Sequence, residues 1–420
     1  MSLASKLLRL THTSNRSQLR SMVLAASVSA ACSIAPAAPA LAENPPKAAA
    51  TIALEEVADG YKRPVQIVVA PGEDGRIYIV EQSGKVVPLK VGSPEERDPI
   101  VDLTDAVATV PEGGLLGFAF HPKYPEVSKG YAHYIGKSRE VENRISEVVL
   151  ADGAPGGVNE ERKLIRLSQG AVVHIGGQIM FGPDNYLYIG IGDGGAHNDP
   201  KETGQNFGDQ FGNILRIDVE EQTATNQPYL APVDNPFVSG TRGNRDVWAG
   251  GLRDPRTFSF DSKTNNLWVG DTGAGLMQEV DIVKPGGNYG WSVFDGAECL
   301  RMRFECMNQK YQPPVVSYLK QDGAGVTVGY VYRGKAMPDL EGTLIYGDRV
   351  SGKIWGLKYE DEKLVSNTLL LATDKDVSAF GQKANGELLL ADYKTGKIFR
   401  IVSAQPEKAP AKTPATASMK

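Results

Sequence analysis

The sequence predicts an all-β protein, a six-bladed β-propeller whose blades are four-stranded antiparallel sheets. The 420 residues include 46 Gly and 26 Pro, a density of turn formers typical of many short strands rather than of long helices. Short runs of alternating apolar residues recur in pairs, each pair separated by a polar turn. Six such pairs can be recognised, so we expect six similar sheets around a channel and only a few short helices.

The six repeated units share a turn former, an apolar strand, a polar turn and a second strand. Their anchor positions are Ile77, Tyr131, Leu187, Leu267, Leu344 and Leu388. Alternating apolar residues mark strands with two distinct faces. The anchors lie 44 to 80 residues apart, so the longer intervals are expected to be loops on one face of the propeller. A pair of packed β-sandwiches is the alternative, and the likeness of six hairpins favours the propeller.

The first 42 residues differ from the rest of the chain. They hold four basic residues before any acid, then an apolar run from 22 to 38, then Ala40-Leu41-Ala42. This order predicts a secretory signal peptide over 1–42 and an exported, periplasmic protein. A disordered N-terminus and a lipid anchor at Cys32 are the alternatives.

Residues 43–403 are predicted to form the propeller domain, with a disordered Pro-, Ala- and Lys-rich tail at 404–420. No stretch after the signal peptide is apolar enough for a transmembrane segment.

Two cysteines remain after the predicted cleavage, Cys299 and Cys306. In an oxidising compartment two cysteines this close usually pair, so we expect a disulfide in an exposed insertion. Two free thiols are the alternative, and a metal pair is disfavoured because no His or third Cys lies nearby. A formal net charge of −5 without a basic block makes nucleic acid an unexpected partner.

Four glycine-rich motifs carry the functional signal. They are GLLGFAFHP (114–122), HIGGQIMFGPDNYLYIGIGDGG (174–195), GLRDP (251–255) and GGNYGW (286–291). In this order, over most of residues 55–402, they resemble the glucose/sorbosone dehydrogenase family. Its soluble quinoproteins are six-bladed propellers that use pyrroloquinoline quinone (PQQ) and calcium.

The resemblance assigns His174 as the general base that takes the sugar hydroxyl proton while a hydride goes to the quinone. Histidine gains and loses a proton near neutral pH, which suits that role. Glu112 matches a polar residue close to substrate and quinone; a solvated loop acid is the alternative for it.

Besides Glu112, the cofactor residues implied by the resemblance are three arginines and one aspartate. Arg253 matches the family arginine that contacts the quinone ring. Asp254 stands where the family usually has Asn and is expected to add a negative charge beside the cofactor. Arg333 and Arg349 are the candidates for pairing with the PQQ carboxylates, with surface arginines as the alternative.

The resemblance also implies two calcium sites. Backbone carbonyls of Gly273 and Ala274 match the loop that holds the calcium next to PQQ. A second, structural calcium is expected at the Glu279 side chain and the Tyr289 carbonyl. Oxygen ligands of this kind suit Ca²⁺. An ordinary strand–turn–strand is the alternative for residues 270–291.

The favoured function is therefore PQQ- and calcium-dependent oxidation of an aldose at its anomeric carbon. One alternative is a non-enzymatic propeller that binds a ligand or protein. Another is a metal-dependent lactonase, for which Asp193 and Asp254 would be the channel carboxylates. The expected partners are a sugar substrate and an unidentified electron acceptor, and the sequence does not fix which sugar or the oligomeric state.

Overall fold

The computed structural model describes residues 52–404, apart from the stretches 73–74, 93–96, 109, 139, 151–157, 196, 221–226, 302 and 309–310. The predicted signal peptide and nearly all of the predicted tail lie outside the described residues.

The described chain forms six four-stranded antiparallel sheets. Strand β1 (Ile52–Ala58) comes first in the chain and belongs to the last blade. Blade 1 consists of β2 (Pro64–Val69), β3 (Ile77–Glu81), β4 (Lys85–Pro88) and β5 (Val101–Asp102). Blade 2 consists of β6 (Leu115–Phe120), β7 (Lys129–Gly136), β8 (Val141–Leu150) and β9 (Val158–Gln169). Blade 3 consists of β10 (Gly176–Phe181), β11 (Leu187–Ile191), β12 (Asn213–Ile217) and β13 (Val247–Gly250).

The second half of the chain repeats this pattern with one large insertion. Blade 4 consists of β14 (Pro255–Phe260), β15 (Leu267–Thr272), β16 (Met277–Val283) and β19 (Val316–Leu319). The insertion holds β17 (Phe294–Asp295), β18 (Glu298–Cys299) and helix α1 (Arg303–Asn308). Blade 5 consists of β20 (Val326–Val331), β21 (Thr343–Asp348), β22 (Lys353–Glu360) and β23 (Lys363–Ala372). Blade 6 consists of β24 (Val377–Gln382), β25 (Leu388–Asp392), β26 (Lys397–Ser403) and β1.

This arrangement confirms the predicted six-bladed β-propeller and excludes two packed sandwiches. All six predicted anchor residues lie in the second strand of a blade, and these strands are almost entirely buried. Strand β1 pairs with β26, so the two ends of the described chain meet in blade 6 and close the ring. Besides α1, the described residues hold two 3-10 turns, Thr203–Gln205 and Pro338–Leu340.

The innermost strands of neighbouring blades are joined by side chains rather than by a continuous sheet. An inner strand has one edge without a ladder partner, so its backbone groups need other hydrogen-bond partners. Side chains that reach across to the next blade supply them. Around the ring the links are Gln66 to Phe118, His133 to Gly177, Gln178 to Phe258, Thr257 to Val328, Thr327 to Val377 and Ser378 to Pro64.

The insertion of blade 4 carries the disulfide that the sequence predicts. Cys299 and Cys306 are bonded, with their Cα atoms 6.1 Å apart, and Cys299 is exposed. Arg301 in the same insertion donates hydrogen bonds to the backbone and hydroxyl oxygens of Ser292, which fastens it to residues near the channel. Within residues 52–404 as described, no helix has the length and apolar character that crossing a membrane requires.

Candidate functional site

A cavity of about 450 Å³ opens at the end of the channel where the inner strands begin. Every blade contributes to its wall from the start of its inner strand. The contributing residues are Val65, Leu116, Gly176, Thr257, Val326 and Ser378. Because the inner strands begin at the same end of the propeller, the loops before them converge there. The loops before β6, β10 and β14 hold four of the predicted site residues, namely Glu112, His174, Arg253 and Asp254.

His174 lies immediately before β10 and is buried, with its backbone in the left-handed region at φ 53°. Its Nδ1 lies 2.8 Å from a carboxylate oxygen of Asp193, and its Nε2 lies 2.5 Å from Nη2 of Arg253. A guanidinium can only donate hydrogen bonds, so Nε2 is the accepting nitrogen and the proton of the neutral ring sits on Nδ1. This tautomer presents the lone pair of Nε2 and uses Asp193 to orient the ring, as a general base requires.

Asp193 is in turn held from three sides. Its Oδ1 also accepts from the backbone N–H of Gly195 at 2.8 Å, and its Oδ2 accepts from the indole N–H of Trp291 at 2.9 Å. Its side chain is fully buried. The orientation of His174 therefore depends on two glycine-rich motifs that lie about a hundred residues apart in the chain.

Arg253 connects His174 to the loop after β15. Its Nη1 donates to the carbonyls of Thr272 and Gly273, both at 2.8 Å, and its guanidinium carbon lies 5.4 Å from the ring centroid of Trp291. Its Nε is buried and, in the described part of the chain, has no hydrogen-bond partner. An unpaired buried donor is costly, and it fits an acceptor atom on a ligand. The Gly273 carbonyl predicted to hold calcium is here the acceptor of Arg253.

Asp254 lines the cavity, and its charge is compensated by a residue that the sequence analysis did not single out. One oxygen of Asp254 accepts from the backbone N–H of Gly176 at 2.8 Å, and the other lies 3.5 Å from Nε of Arg256. Arg256 also donates to Glu112 at 3.1 Å. Burial alone lowers the pKa of Arg256, but the charges of Asp254 and Glu112 outweigh it and raise this pKa. The negative charge that Asp254 brings to the cavity is therefore balanced by the positive charge of Arg256.

Glu112 also contacts the predicted base directly. It lines the cavity, and the same oxygen that accepts from Arg256 accepts from the backbone N–H of His174 at 3.1 Å. Glu112, Arg256 and Asp254 thus form a row of alternating charges beside the His174 segment.

The two arginines predicted to bind cofactor carboxylates lie at different ends of the propeller. Arg349 lines the cavity, where it pairs with Asp376 at 2.9 Å and lies 4.5 Å above the ring of Tyr393. Arg333 follows the far end of β20 and forms a two-pronged ion pair with Asp261, outside the cavity. The structure thus brings Arg349 to the site and leaves Arg333 in a structural pair. Lys394 is a third cation of the cavity wall, beside Arg256 and Arg349.

The residues predicted for the second calcium lie in a buried acidic cluster on β15 and β16. Burial raises the pKa values of Asp271, Glu279 and Asp281, that of Asp271 to about 7. Glu279 accepts a hydrogen bond from the backbone N–H of Gly296, whereas neither oxygen of Asp281 has a partner among the described residues. Three buried carboxyl groups, one of them without a hydrogen-bond partner among the described residues, offer the oxygen ligands that a hard cation prefers.

Side chains alone do not complete a cage for that cation. In the described part of the chain, no three His, Cys, Asp or Glu side chains converge in a way that could hold a metal ion. Backbone carbonyls would have to complete it. Tyr289 is buried beside the cluster, and its hydroxyl donates to the carbonyl of Ile282 at 2.9 Å.

Sequence reasoning missed the roles of three residues. Asp193 was considered only as a lactonase ligand, although its place in GDGG directly after β11 puts it at the cavity end of that strand. Arg256 follows GLRDP, where an inner strand begins beside the channel. Trp291 ends GGNYGW, but no pattern in the sequence shows that its indole reaches Asp193.

Comparison with known proteins identifies the family of the chain and relatives that share its fold. The profile of the glucose/sorbosone dehydrogenase family matches residues 61–400. The aldose sugar dehydrogenase YliI of Escherichia coli K12 is 24% identical over 368 residues, which cover 84% of this chain and 94% of that protein. The PQQ-bound aldose sugar dehydrogenase of Streptomyces coelicolor shares the fold, with a TM-score of 0.68 at 21% identity, over 84% of this chain and 99% of that one.

Other relatives are not named as dehydrogenases. The HIPL1 protein of Arabidopsis thaliana and the human Hedgehog-interacting protein are each 27% identical over 383 residues. The matches cover 74% and 83% of this chain but 54% and 52% of those proteins. The chain thus spans about half the length of these relatives. The profile match extends over most of the chain, through all six blades, and the chain belongs to the glucose/sorbosone dehydrogenase family.

Proposed function

We propose that the protein is a PQQ- and calcium-dependent dehydrogenase that oxidises an aldose at its anomeric carbon. The observation that carries this proposal is the His174 ring, whose Nε2 accepts from Arg253 while Asp193 accepts from Nδ1–H. His174 lies behind the cavity wall, which it contacts through the hydrogen bond from its backbone N–H to Glu112. Such a ring can take a proton and have the resulting imidazolium stabilised by a carboxylate. Family membership supports the oxidoreductase class.

Oxidation of a cyclic aldose to its lactone removes a hydride from the anomeric carbon and a proton from its hydroxyl. His174 takes that proton at Nε2, and Asp193 stabilises the charge that then forms on the ring. PQQ, when bound, supplies the two-electron acceptor. Before His174 can act, Arg253 must release Nε2, because one lone pair cannot accept from Arg253 and from the sugar hydroxyl at once.

The cavity wall offers suitable partners for a cofactor with three carboxylates. Arg256, Arg349 and Lys394 of the wall supply cations. The unpaired Nε–H of Arg253, the residue before the wall residue Asp254, supplies a buried donor. Calcium, when bound, would use the carbonyls of Gly273 and Ala274; the first of these accepts one hydrogen bond from Arg253 and keeps a second lone pair. Glu279, with the Tyr289 carbonyl, would hold the second calcium at the buried acidic cluster.

A second candidate function is ligand or protein binding without catalysis. Two observations favour it: Arg253 occupies both Nε2 of His174 and the Gly273 carbonyl, and two relatives are named for interaction with Hedgehog. A lactonase is disfavoured because the carboxylates of Asp193 and Asp254 are already engaged by His174, Trp291, Gly176 and Arg256.

The deciding experiment adds PQQ and Ca²⁺ to the purified, EDTA-treated protein and follows the quinone absorbance. Turnover is then measured with glucose and other aldoses and an artificial electron acceptor. The proposal expects saturable PQQ binding, calcium-dependent turnover, and loss of both when EDTA is added. A protein that binds no PQQ under these conditions is not a dehydrogenase of this kind, and the binding function takes its place. We further propose export to the periplasm, on the basis of residues 1–42.

A further inference from the structure

His133 is a buried histidine in blade 2 whose two ring nitrogens both face oxygen atoms. It lies on β7 and has no solvent exposure. Its Nδ1 lies 2.8 Å from the carbonyl oxygen of Gly177, and its Nε2 lies 2.9 Å from Oδ1 of Asn143. A buried polar side chain with partners at both ends is a fixed link between the groups it contacts.

The orientation of the Asn143 amide follows from its other neighbour, Gln169. The Gln169 amide nitrogen donates to two carbonyls, those of Ala171 at 2.8 Å and Val173 at 2.9 Å. Its oxygen must therefore face Asn143, whose amide nitrogen donates to it at 2.6 Å. This leaves the oxygen of Asn143 to face His133. Asn143 and Gln169 are both buried, so water does not compete for these contacts.

The chain of contacts ends on the backbone at both sides of His174. At one side Gln169 holds the carbonyl of Val173, the residue before His174; at the other side His133 holds the carbonyl of Gly177, which lines the cavity. His174 needs such support because its φ of 53° is uncommon for a non-glycine residue and costs conformational energy.

We propose that His133 is a positioning residue for His174, which it acts on through the Gly177 carbonyl and through the Asn143–Gln169 amide relay. His133 does not touch the cavity, so its effect on the reaction is indirect. The inference rests on the proposed function only for the consequence that it has for catalysis.

The hydrogen bonds of the relay also depend on how many protons the His133 ring carries. A neutral imidazole carries one N–H, so it can donate to Gly177 or to Asn143 but not to both. Both contacts are complete hydrogen bonds only when the ring is protonated. The positioning of His174 is therefore expected to respond to the protonation of a side chain that substrate does not reach.

The test uses cofactor-free, full-length protein labelled with ¹⁵N-histidine. Two-bond ¹H–¹⁵N correlations show which ring nitrogen of each histidine carries a proton, and the chain has five histidines. The His174 signals are assigned by their loss in His174→Asn. In the parent, His174 is expected to show a single Nδ1–H tautomer.

The decisive variant is Asn143→Leu, which breaks the relay at its centre, with Asn143→Asp as a second variant that keeps the side-chain size. The matched control is Asn235→Leu. Asn235 is also buried, but it lies in blade 3, away from the relay. Its amide nitrogen donates to the carbonyls of Arg216 and Arg245. The control reports the effect of losing a buried amide without touching the relay.

The relay variants are expected to give mixed tautomers or exchange-broadened signals for His174, while Asn235→Leu leaves them as in the parent. With PQQ and calcium added, the relay variants should lower kcat by about 10- to 100-fold with little change in KM, the range found for residues that orient a functional side chain. Unchanged His174 signals in both relay variants would overturn the proposal. If the parent binds no PQQ, the proposed function fails, and the spectra still decide the role of His133.

Discussion

Nη2 of Arg253 lies 2.5 Å from Nε2 of His174. The arginine expected to contact the cofactor is therefore hydrogen-bonded to the histidine nitrogen expected to take the substrate proton. The same guanidinium holds the carbonyls of Thr272 and Gly273. Arg253 thus connects the proposed base to the proposed calcium loop. For His174 to accept a substrate proton, this arginine must leave Nε2, whereas the carbonyls that it contacts each keep a second lone pair for a ligand.

His174→Asn should leave PQQ binding nearly intact and reduce kcat strongly. Asparagine cannot accept a proton at the position of Nε2, and general-base catalysis typically contributes about 10²–10⁴-fold. The measurement is PQQ titration by absorbance together with steady-state turnover of an aldose. Full turnover in this variant would show that another group is the base, while fold and cofactor would stand.

Arg253→Ala should weaken PQQ binding as well as turnover, unlike His174→Asn. The variant removes the unpaired Nε–H and a charge at the cofactor, and a hydrogen bond to a charged group contributes about 1.5–3 kcal/mol, or about 10- to 100-fold in affinity. The dissociation constant for PQQ at fixed calcium measures the effect. An affinity equal to that of the parent would remove Arg253 from the cofactor site.

Arg349→Ala and Arg333→Ala form a matched pair that tests which end of the propeller binds the cofactor. Both arginines are partly exposed and paired with one aspartate, but only Arg349 lines the cavity. Arg349→Ala should weaken PQQ binding, and Arg333→Ala should leave it unchanged. The reverse result would place the cofactor at the opposite end of the channel.

Asp254 and Arg256 should behave as a coupled pair. Arg256→Gln leaves the buried carboxylate of Asp254 without its cation, which is expected to cost about 1–3 kcal/mol of stability. Adding Asp254→Asn should restore part of that loss, since residues in direct contact couple by about 0.5–3 kcal/mol. Thermal unfolding of the cofactor-free parent, both single variants and the double variant gives the coupling. Strictly additive effects would mean that Asp254 is compensated by another group.

The sequence predicted the fold well because the second and third strands of each blade carry the clearest alternation. The second strands are almost entirely buried between neighbouring blades, which is why the anchors from Ile77 to Leu388, all in second strands, could be recognised. The sequence also predicted His174, Glu112 and Arg253 as site residues, because motifs place them in loops that converge on the channel.

Other parts of the site depend on contacts between distant residues and leave no local signal. The bond from Trp291 to Asp193 joins residues 98 positions apart, and the pairing of Arg256 with Glu112 joins residues 144 positions apart. Arg333 and Arg349 both follow strands of blade 5, but these strands are antiparallel neighbours that end at opposite sides of the sheet. To predict which of the two arginines reaches the cavity, the register of these strands must be known. The alternation of apolar residues alone does not fix that register.

The contribution of His133 to stability should fall as the pH is lowered below about 6.5. Burial lowers the pKa of His133, although its hydrogen bonds to Asn143 and Gly177 oppose the shift. The groups that contact its ring nitrogens, the Asn143 amide on β8 and the Gly177 carbonyl on β10, are uncharged. Below the unfolded pKa of about 6.5, the unfolded chain therefore binds a proton that the folded ring takes up only at lower pH.

By linkage, the contribution of His133 to the free energy of unfolding then decreases as the pH falls, until the folded ring also becomes protonated. His121, whose pKa is lowered by burial as well, contributes in the same direction. The buried carboxyl groups of Asp271, Glu279 and Asp281, whose pKa values are raised, act in the opposite direction, so the parent alone does not isolate His133. The measurement is the unfolding midpoint of cofactor-free protein between pH 5 and 8, for the parent and for His133→Gln. The variant should be less stable at pH 7 but lose less stability on acidification. Parallel curves for the two proteins would show that folding leaves the pKa of His133 unchanged. A parent that gains stability relative to His133→Gln as the pH falls would show that the folded ring holds its proton more tightly than the unfolded chain does, with both of its hydrogen bonds complete.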